Sequence, residues 1–344
     1  MSTKVRFGIV GTGMIGKYHA QAVREAAGAE LVAVCRGNPG QTEAAAKEYG
    51  VPCEPSYDAL LARRDVDAVC IATPSGLHAA QVVAAARAGK HVLVEKPMAL
   101  TLADADAMIE ACRAAGVRLG VALQRRTDPT FLAVRAALDG GELGRLVLGT
   151  TTIPYVRPQS YYDSAAWRGT WAQDGGGALM NQGIHLADLL VWFMGDVKEV
   201  DARAATLAHD IEVEDCVAAR LTFAGGALGS LVATTAAAPG FPHRVEIYGT
   251  RGGLQIEGED VVRWDGESAP RVLPRGPSPA AAGAGAAPTG IKHEGHVRLV
   301  ADLVAAVRDR RAPIVPGEEG RKSLALVLAV YQSAREGRPI VLTR

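Results

Sequence analysis

The feature that most constrains this chain is a glycine turn between two patterned segments. An apolar run, Lys4 to Val10, ends in Gly11-Thr12-Gly13-Met14-Ile15-Gly16, and an amphipathic stretch runs on from Met14 to Ala27. Strand, Gly-x-Gly-x-x-Gly and helix in that order form the context in which such a loop binds a dinucleotide. Gly11 permits the tight turn, Gly13 lets the backbone approach a pyrophosphate, and Gly16 lets the helix pack closely on the strand. The helix N-terminus adds unpaired N–H groups and a partial positive charge. Thr12, Met14 and Ile15 therefore join the glycines as candidate cofactor contacts. A purely structural Gly-rich turn is the alternative, and the alternation that follows argues against it.

Apolar runs at Leu31 to Cys35, Ala68 to Ala72, His91 to Val94 and Arg118 to Val121 alternate with helical patterns at Met14 to Ala27, Gln41 to Tyr49, His78 to Ala88 and Leu102 to Ala115. This is the pattern of a doubly wound parallel sheet, a Rossmann domain, whose strands end at one ligand-binding edge. After about Leu123 the pattern changes. Helices at Pro129 to Leu138 and Gly177 to Met194 accompany β-like runs at Leu146, Val197 to Thr206, Val213 to Phe223, Ala227 to Thr235, Arg244 to Tyr248 and Leu254 to Ile256. Turns separate these runs, as in a mostly antiparallel sheet. Pro274 to Gly290, almost all Ala, Gly and Pro, reads as a loop, either a plain surface excursion or a lid. Helices at Gly295 to Arg310 and Arg321 to Glu336 close the chain. At 344 residues, a single core is exceeded. The expected fold class is α/β, with a dinucleotide-binding domain over 1–123 and a substrate-binding α/β domain over 124–344.

Charge and cysteine usage exclude several functions. Lysine plus arginine and aspartate plus glutamate are both 37, so no net field gathers nucleic acid or an anionic membrane. Five scattered cysteines have neither metal-ligand spacing nor disulfide density. They read as reduced thiols, and no apolar segment near Met1 is long enough to target or span a membrane, so a cytoplasmic location is expected. No zinc-like Cys/His spacing, Ser-His-Asp order or phosphate-transfer loop is present, and no metal is expected.

Three places carry candidate chemistry. At the end of the second strand, where NAD enzymes place an acid for the ribose hydroxyls, the chain reads Val34-Cys35-Arg36-Gly37-Asn38. Arg36 attracts a 2′-phosphate, which favours NADP over NAD; with Arg36 in solvent, either dinucleotide would serve. Glu95-Lys96-Pro97 follows the strand His91 to Val94 at the ligand edge. A partly desolvated Lys96 beside a cationic nicotinamide would have a lowered pKa, suiting a general base for a hydroxyl proton; a surface lysine is the alternative. Ala178, Asn181, His185, Asp188 and Trp192 recur at helical steps and share one face. Such a polar stripe needs partners, which points to a substrate cleft, the alternative being a satisfied core histidine. Tyr155, Trp167 and Arg168 lie in an aromatic and basic loop that suits sugar or anion contacts or domain packing. Gln124, Arg125 and Arg126, just past the last parallel strand, are expected to line the cleft, with Arg126 reaching the substrate.

Taken in order, Gly11 to Gly16, Ala72-Thr73-Pro74-Ser75-Gly76-Leu77-His78, Glu95-Lys96-Pro97 and Asn181 to Asp188 resemble the Gfo/Idh/MocA family, which includes glucose-fructose oxidoreductase and inositol dehydrogenases. The resemblance covers nearly the whole chain. It implies a catalytic, nicotinamide-proximal Lys96 acting with His185, and cofactor contacts from Thr73, Pro74, His78, Glu95, Gln124 and the Trp167-Arg168 pair. Inositol dehydrogenases carry an aspartate four residues before the histidine; Asn181 stands there, which leaves open whether His185 or Lys96 moves the proton. The implied reaction is hydride transfer between NAD(P) and a secondary alcohol or ketone of a sugar, nucleotide sugar or cyclitol, in a homodimer or homotetramer. A glycosidase using transient redox and a non-catalytic dinucleotide sensor are the rivals.

Overall fold

The computed structural model describes residues 4–266 and 293–342; the loop expected at Pro274 to Gly290 lies outside them. The chain forms two compact units, Met1–Thr127 with Lys292–Arg321, and Asp128–Ile291 with Lys322–Arg344. The late segment Lys292–Arg321 thus belongs with the first unit, whereas the sequence reading put all of 124–344 in the second.

In the first unit, strands β1 (Val5–Val10), β2 (Ala29–Cys35), β3 (Cys53–Glu54), β4 (Ala68–Ile71), β5 (His91–Val94) and β6 (Leu119–Val121) pair in the order β3-β2-β1-β4-β5-β6. Every pairing is parallel. Helices α1 (Met14–Glu25), α2 (Thr42–Tyr49), α3 (Tyr57–Ala62), α4 (His78–Arg87) and α5 (Leu102–Ala114) make the crossovers. Strands covered on both faces need no polar alternation, and Ala68, Val69, Cys70 and Ile71 of β4 are all fully buried. The strand order reverses beside β1, so the crevice at the carboxyl ends of β1 and β4 is the place for a ligand. The strand β3 and the helix α3 are too short to show a period. The second of these is announced only by its cap, Ser56 Oγ accepting from Ala59 N at 3.1 Å.

In the second unit, β7 (Leu146–Pro154), β8 (Val197–Ala205), β9 (Cys216–Phe223), β10 (Leu228–Thr234), β11 (Arg244–Gly249), β12 (Gly253–Glu257), β13 (Asp260–Asp265) and β14 (Ile340–Val341) form one sheet ordered β13-β12-β11-β7-β10-β9-β8-β14. It is antiparallel except between β7 and β10. Alternate residues of β9 are buried, as one covered face requires. Helix α8 (Ile184–Met194) packs on β7 and β11. It comes this close because residue 149 is glycine: a Cβ there would stand 2.6 Å from Met194 Sδ. The unit also holds α6 (Pro129–Asp139) and α7 (Gln159–Asp163). Helix α9 (Glu294–Arg308) packs against α1 in the first unit, and α10 (Gly317–Glu336) ends the helical part of the chain.

The expected regular helix from Gly177 to Met194 is corrected. Ala178–Gly183 is a π-helical turn that opens into α8, so the polar residues do not keep a single 3.6-residue register. Among the described residues, no helix is long and apolar enough to cross a membrane.

Among the described glycines of the first unit, Gly16 leaves the least room for a side chain: a Cβ on it would stand 2.0 Å from the carbonyl oxygen of Gly11. Gly16→Ala is expected to force α1 off β1 and to cost about 2 kcal/mol or more, a fall in Tm of roughly 5 °C. A thermal melt superimposable on that of the parent protein would contradict this packing.

Candidate active site

The carboxyl edge of the first sheet gathers most of the sequence-predicted cofactor residues of that unit. Gly11 has φ +92°, and a Cβ on it would stand 2.5 Å from Ala72 O, so the turn lies directly against the end of β4. Gly13 caps α1 with no side-chain hydrogen bond, no acid occupies the first turn, and a Cβ on Gly13 would meet nothing within 4 Å. Open space thus stands before a helix N-terminus whose N–H groups no side chain caps, which fits a pyrophosphate. Thr12 is buried, Ile15 half-buried and Met14 exposed around this turn. Arg36 is half-buried just past β2, followed by exposed Gly37 and Asn38, with no carboxylate among these residues.

The segment after β4 is tied down internally. Thr73 Oγ1 donates to Gln81 Oε1 at 2.6 Å. His78, 1% exposed, places Nε2 2.9 Å from Thr73 O and Nδ1 2.9 Å from Pro97 O. Burial lowers its pKa against those two carbonyls. Pro74 is half-buried beside Thr73. His78 therefore meets backbone on both sides, bridging the loop after β4 to the loop after β5. Glu95 is buried and Lys96 half-buried at the end of β5. Glu95 Oε1 lies 2.8 Å from His19 Nε2 on α1 and 3.4 Å from His296 Nε2 on α9, and Glu95 Oε2 accepts the Lys96 N–H at 3.2 Å. Burial pushes the Glu95 carboxyl up, but hydrogen bonding from His19 and the close approach of His296 outweigh it and hold it well below the usual carboxylate range. Gln124 and Arg125 are half-buried. Arg126, expected to reach a substrate, is 2% exposed and pairs through Nη1 with Glu319 Oε2 at 2.7 Å.

The second unit holds its own polar cluster. The Arg168 guanidinium lies 4.4 Å from the ring centre of Tyr161 and 4.6 Å from that of Trp167, and donates to Tyr161 Oη at 2.7 Å. Gln182 Nε2 donates to the same oxygen at 3.2 Å. Asn181 Nδ2 donates to Asp174 Oδ1 at 2.8 Å, while Asp174 Oδ2 accepts Gly169 N at 3.0 Å. Asn181 and His185 are both half-exposed, in the π-helical turn and the first turn of α8. Asp188, expected on the same polar face, is instead fully buried and takes the Ser323 hydroxyl at 2.5 Å. Tyr155 is 2% exposed, with its hydroxyl 2.9 Å from His243 Nδ1.

Four polar groups that build these clusters were missed from sequence: His19, His296, Glu214 and Tyr331. His19 had a signal, since it stands one helical turn after Gly16 and faces the same way. The others had none, because they matter only through partners far along the chain. Glu214 accepts Gly177 N and Leu179 N at 2.8 Å each and the Tyr331 hydroxyl at 2.8 Å, which caps the π-helical turn that carries Asn181. Gly177 is required there, as a Cβ would stand 1.8 Å from Glu214 O.

A doubly wound sheet with an open glycine turn at its switch point, carried in one chain with an eight-stranded mixed sheet, defines a two-unit dinucleotide-binding oxidoreductase. Residues 5–123 match the oxidoreductase family with an NAD-binding Rossmann fold, and residues 131–255 match the GFO/IDH/MocA C-terminal domain. The chain is 32% identical to inositol 2-dehydrogenase of Rhizobium meliloti (strain 1021), over 98% of each. It is 31% identical to D-apiose dehydrogenase of Paraburkholderia graminis, over 97% of this chain and 88% of the other. A crystal structure of the WlbA dehydrogenase from Bordetella pertussis, in complex with NADH and UDP-GlcNAcA, superimposes with a TM-score of 0.87 at 38% identity and 99% coverage of both chains. The chain belongs to the GFO/IDH/MocA oxidoreductase family.

Burial pushes the Glu214 carboxyl up to about 7, against the three donors that favour its anion. A raised carboxyl binds its proton more tightly in the folded state, so its stabilising contribution is complete below the ordinary value near 4.5 and is lost as pH rises through about 7. The free energy of unfolding is expected to lose on the order of 3 kcal/mol from this group between pH 4.5 and 8. Denaturant titrations across that range should show the slope, and Glu214→Gln should flatten it; equal slopes in both proteins would refute the assignment.

Proposed function

We propose that this protein is a dehydrogenase or reductase that transfers hydride between a nicotinamide dinucleotide and a secondary alcohol or ketone carbon of a sugar, nucleotide sugar or cyclitol. The observation that carries this reading is Lys96, half-buried at the carboxyl edge of the parallel sheet, with its own N–H held by the Glu95 carboxylate and the next carbonyl, Pro97 O, held by buried His78. The substrate class is supported by the relatives, an inositol 2-dehydrogenase, a D-apiose dehydrogenase and a dehydrogenase solved with UDP-GlcNAcA.

When bound, the nicotinamide supplies the hydride acceptor or donor. The N–H groups from Gly11 to Gly16 would hold the pyrophosphate of the dinucleotide, with Thr73, Pro74 and Gln124 lining the same edge. Lys96 or His185 takes the hydroxyl proton as the alcohol is oxidised and returns it in the reverse direction. Asn181, oriented by Asp174, hydrogen-bonds a substrate hydroxyl without adding charge. Trp167 and Arg168 act as a rigid aromatic and cationic surface. Arg126 and Tyr155 are buried, Arg126 paired with Glu319 and Tyr155 with His243, and act on a substrate through those partners. Arg36 offers a cation where an NAD enzyme carries an acid, so NADP(H) is admitted as well as the NADH seen in the WlbA complex. The exposed residues Leu148 and Leu228, paired in register on β7 and β10, support assembly into a dimer or tetramer through the second unit's sheet; a monomeric mass in sedimentation equilibrium would remove that part.

The purified protein is to be assayed against a panel of polyols, aldoses and nucleotide sugars with each dinucleotide. Turnover on at least one is expected, and Lys96→Ala should cut it on the order of a hundredfold or more while leaving dinucleotide affinity nearly intact. Turnover unchanged by Lys96→Ala would remove that lysine from the mechanism. Dinucleotide binding without turnover across the panel would overturn the function.

A further inference from the structure

His19, Glu95 and His296 form a group that the proposed chemistry does not use directly. All three are buried, His19 fully and His296 to 2% exposure, and they come from α1, the end of β5 and α9. One carboxylate oxygen, Glu95 Oε1, receives both imidazoles through Nε2, at 2.8 and 3.4 Å. The rings stand edge to face with centroids 5.0 Å apart, and Tyr18 stacks on His296 at 6.1 Å.

Two readings of such a group are physically available, a metal site and a hydrogen-bonded clasp, and the far ring nitrogens decide between them. Metal-binding histidines donate their second N–H to a carboxylate, carbonyl or water. Here Nδ1 of both His19 and His296 is buried with no hydrogen-bond partner among the described residues. A metal on each Nε2 would put the ring protons on Nδ1, where no carboxylate or carbonyl stands among the described residues to orient them. In the clasp His19 carries its proton on Nε2 and donates it to Glu95 Oε1 at 2.8 Å, and His296 Nε2 faces the same oxygen at 3.4 Å. Burial lowers the His19 pKa, which agrees with a neutral ring.

We propose that His19 and His296 are positioning residues that hold the Glu95 carboxylate and, through it, the backbone on which Lys96 stands. The other oxygen, Glu95 Oε2, accepts the Lys96 N–H at 3.2 Å, and on the far side Pro97 O meets His78 at 2.9 Å. Lys96 is thereby tethered before and after its own residue. His19 also lies one turn beyond Gly16, so the helix that receives the pyrophosphate and the loop that carries the lysine are registered through one hydrogen bond. The titratable groups around Glu95 are His19, His296, His78, Lys96 and Cys70; burial and Glu95 raise the Cys70 thiol, which stays neutral. This inference rests on the reading of Lys96 as the proton-handling amine.

The test compares His19→Phe, which removes the donor, with His19→Gln, which returns an amide N–H near the Nε2 position. Turnover, dinucleotide affinity, melting temperature and the pH midpoint of Lys96 in competitive acetic anhydride labelling are measured on each. His19→Phe should lower kcat about tenfold to a hundredfold, with dinucleotide affinity within about threefold, and should shift the Lys96 labelling midpoint; His19→Gln should restore both. His296→Phe, which keeps a ring against Tyr18, serves if His19→Phe does not fold. A lower melting temperature with an unmoved Lys96 midpoint and unchanged kcat per folded molecule would show a merely structural role and overturn the proposal. So would one equivalent of a transition metal in the purified protein that is lost in His19→Gln. Labelling needs no substrate, so an enzyme inactive on every polyol defeats the proposed function while the Lys96 midpoint still decides the clasp.

Discussion

The van der Waals contact between Gly16 and the carbonyl of Gly11 governs the first unit. With no side chain at either residue, α1 starts directly over the end of β1, and its N-terminal N–H groups point across the sheet's carboxyl edge. The same placement carries His19 inward, one turn later, to Glu95. Phosphate binding and the anchoring of the lysine loop thus share one geometric origin, the closeness with which a helix can approach a strand. Any side chain at position 16 would lift both together.

The second unit relies on buried carboxylates that cap backbone. Glu214 satisfies the N–H groups of Gly177 and Leu179 at the start of the π-helical turn. Asp215 next to it takes those of Leu207, Ala208 and His209, together with His209 Nδ1. Asp174 takes Gly169 N and orients Asn181. A buried carboxylate is tolerable only when several donors surround it, and removing one would orphan those donors at about 1–3 kcal/mol each. These acids make rigid a stretch with little regular secondary structure. That stretch also carries Asn181 and Arg168, held by Asp174 and Tyr161.

Much of the scaffold was readable because its period is strong. His91–Val94 and the starts of α1 and α4 fall where the apolar pattern and the glycine turn put them. The strands β3 and β14, of two residues each, leave no period to read. The π-helical turn at Ala178–Gly183 was hidden because its composition suits an α-helix equally well, and only the capping by Glu214 reveals the wider winding. Asp188 looked like a cleft residue by spacing, yet its partner, Ser323, lies 135 residues away. The amphipathic pattern of α9 announced a helix without saying which sheet it would cover.

Local chemistry in the sequence determined the class of this protein: glycine's freedom at Gly11 and Gly16, unbroken apolar strands and a lysine directly after one of them suffice for a dinucleotide-binding parallel sheet. Those properties depend on neighbours within a few residues, so they are written in the order of the chain. Tertiary structure decided which polar groups meet. His19 reaches Glu95 across 76 residues, and His296 joins them from a helix near the other end of the chain. Such meetings follow from crossover connections and sheet register, which bring distant residues to hydrogen-bonding distance only after the whole unit has packed.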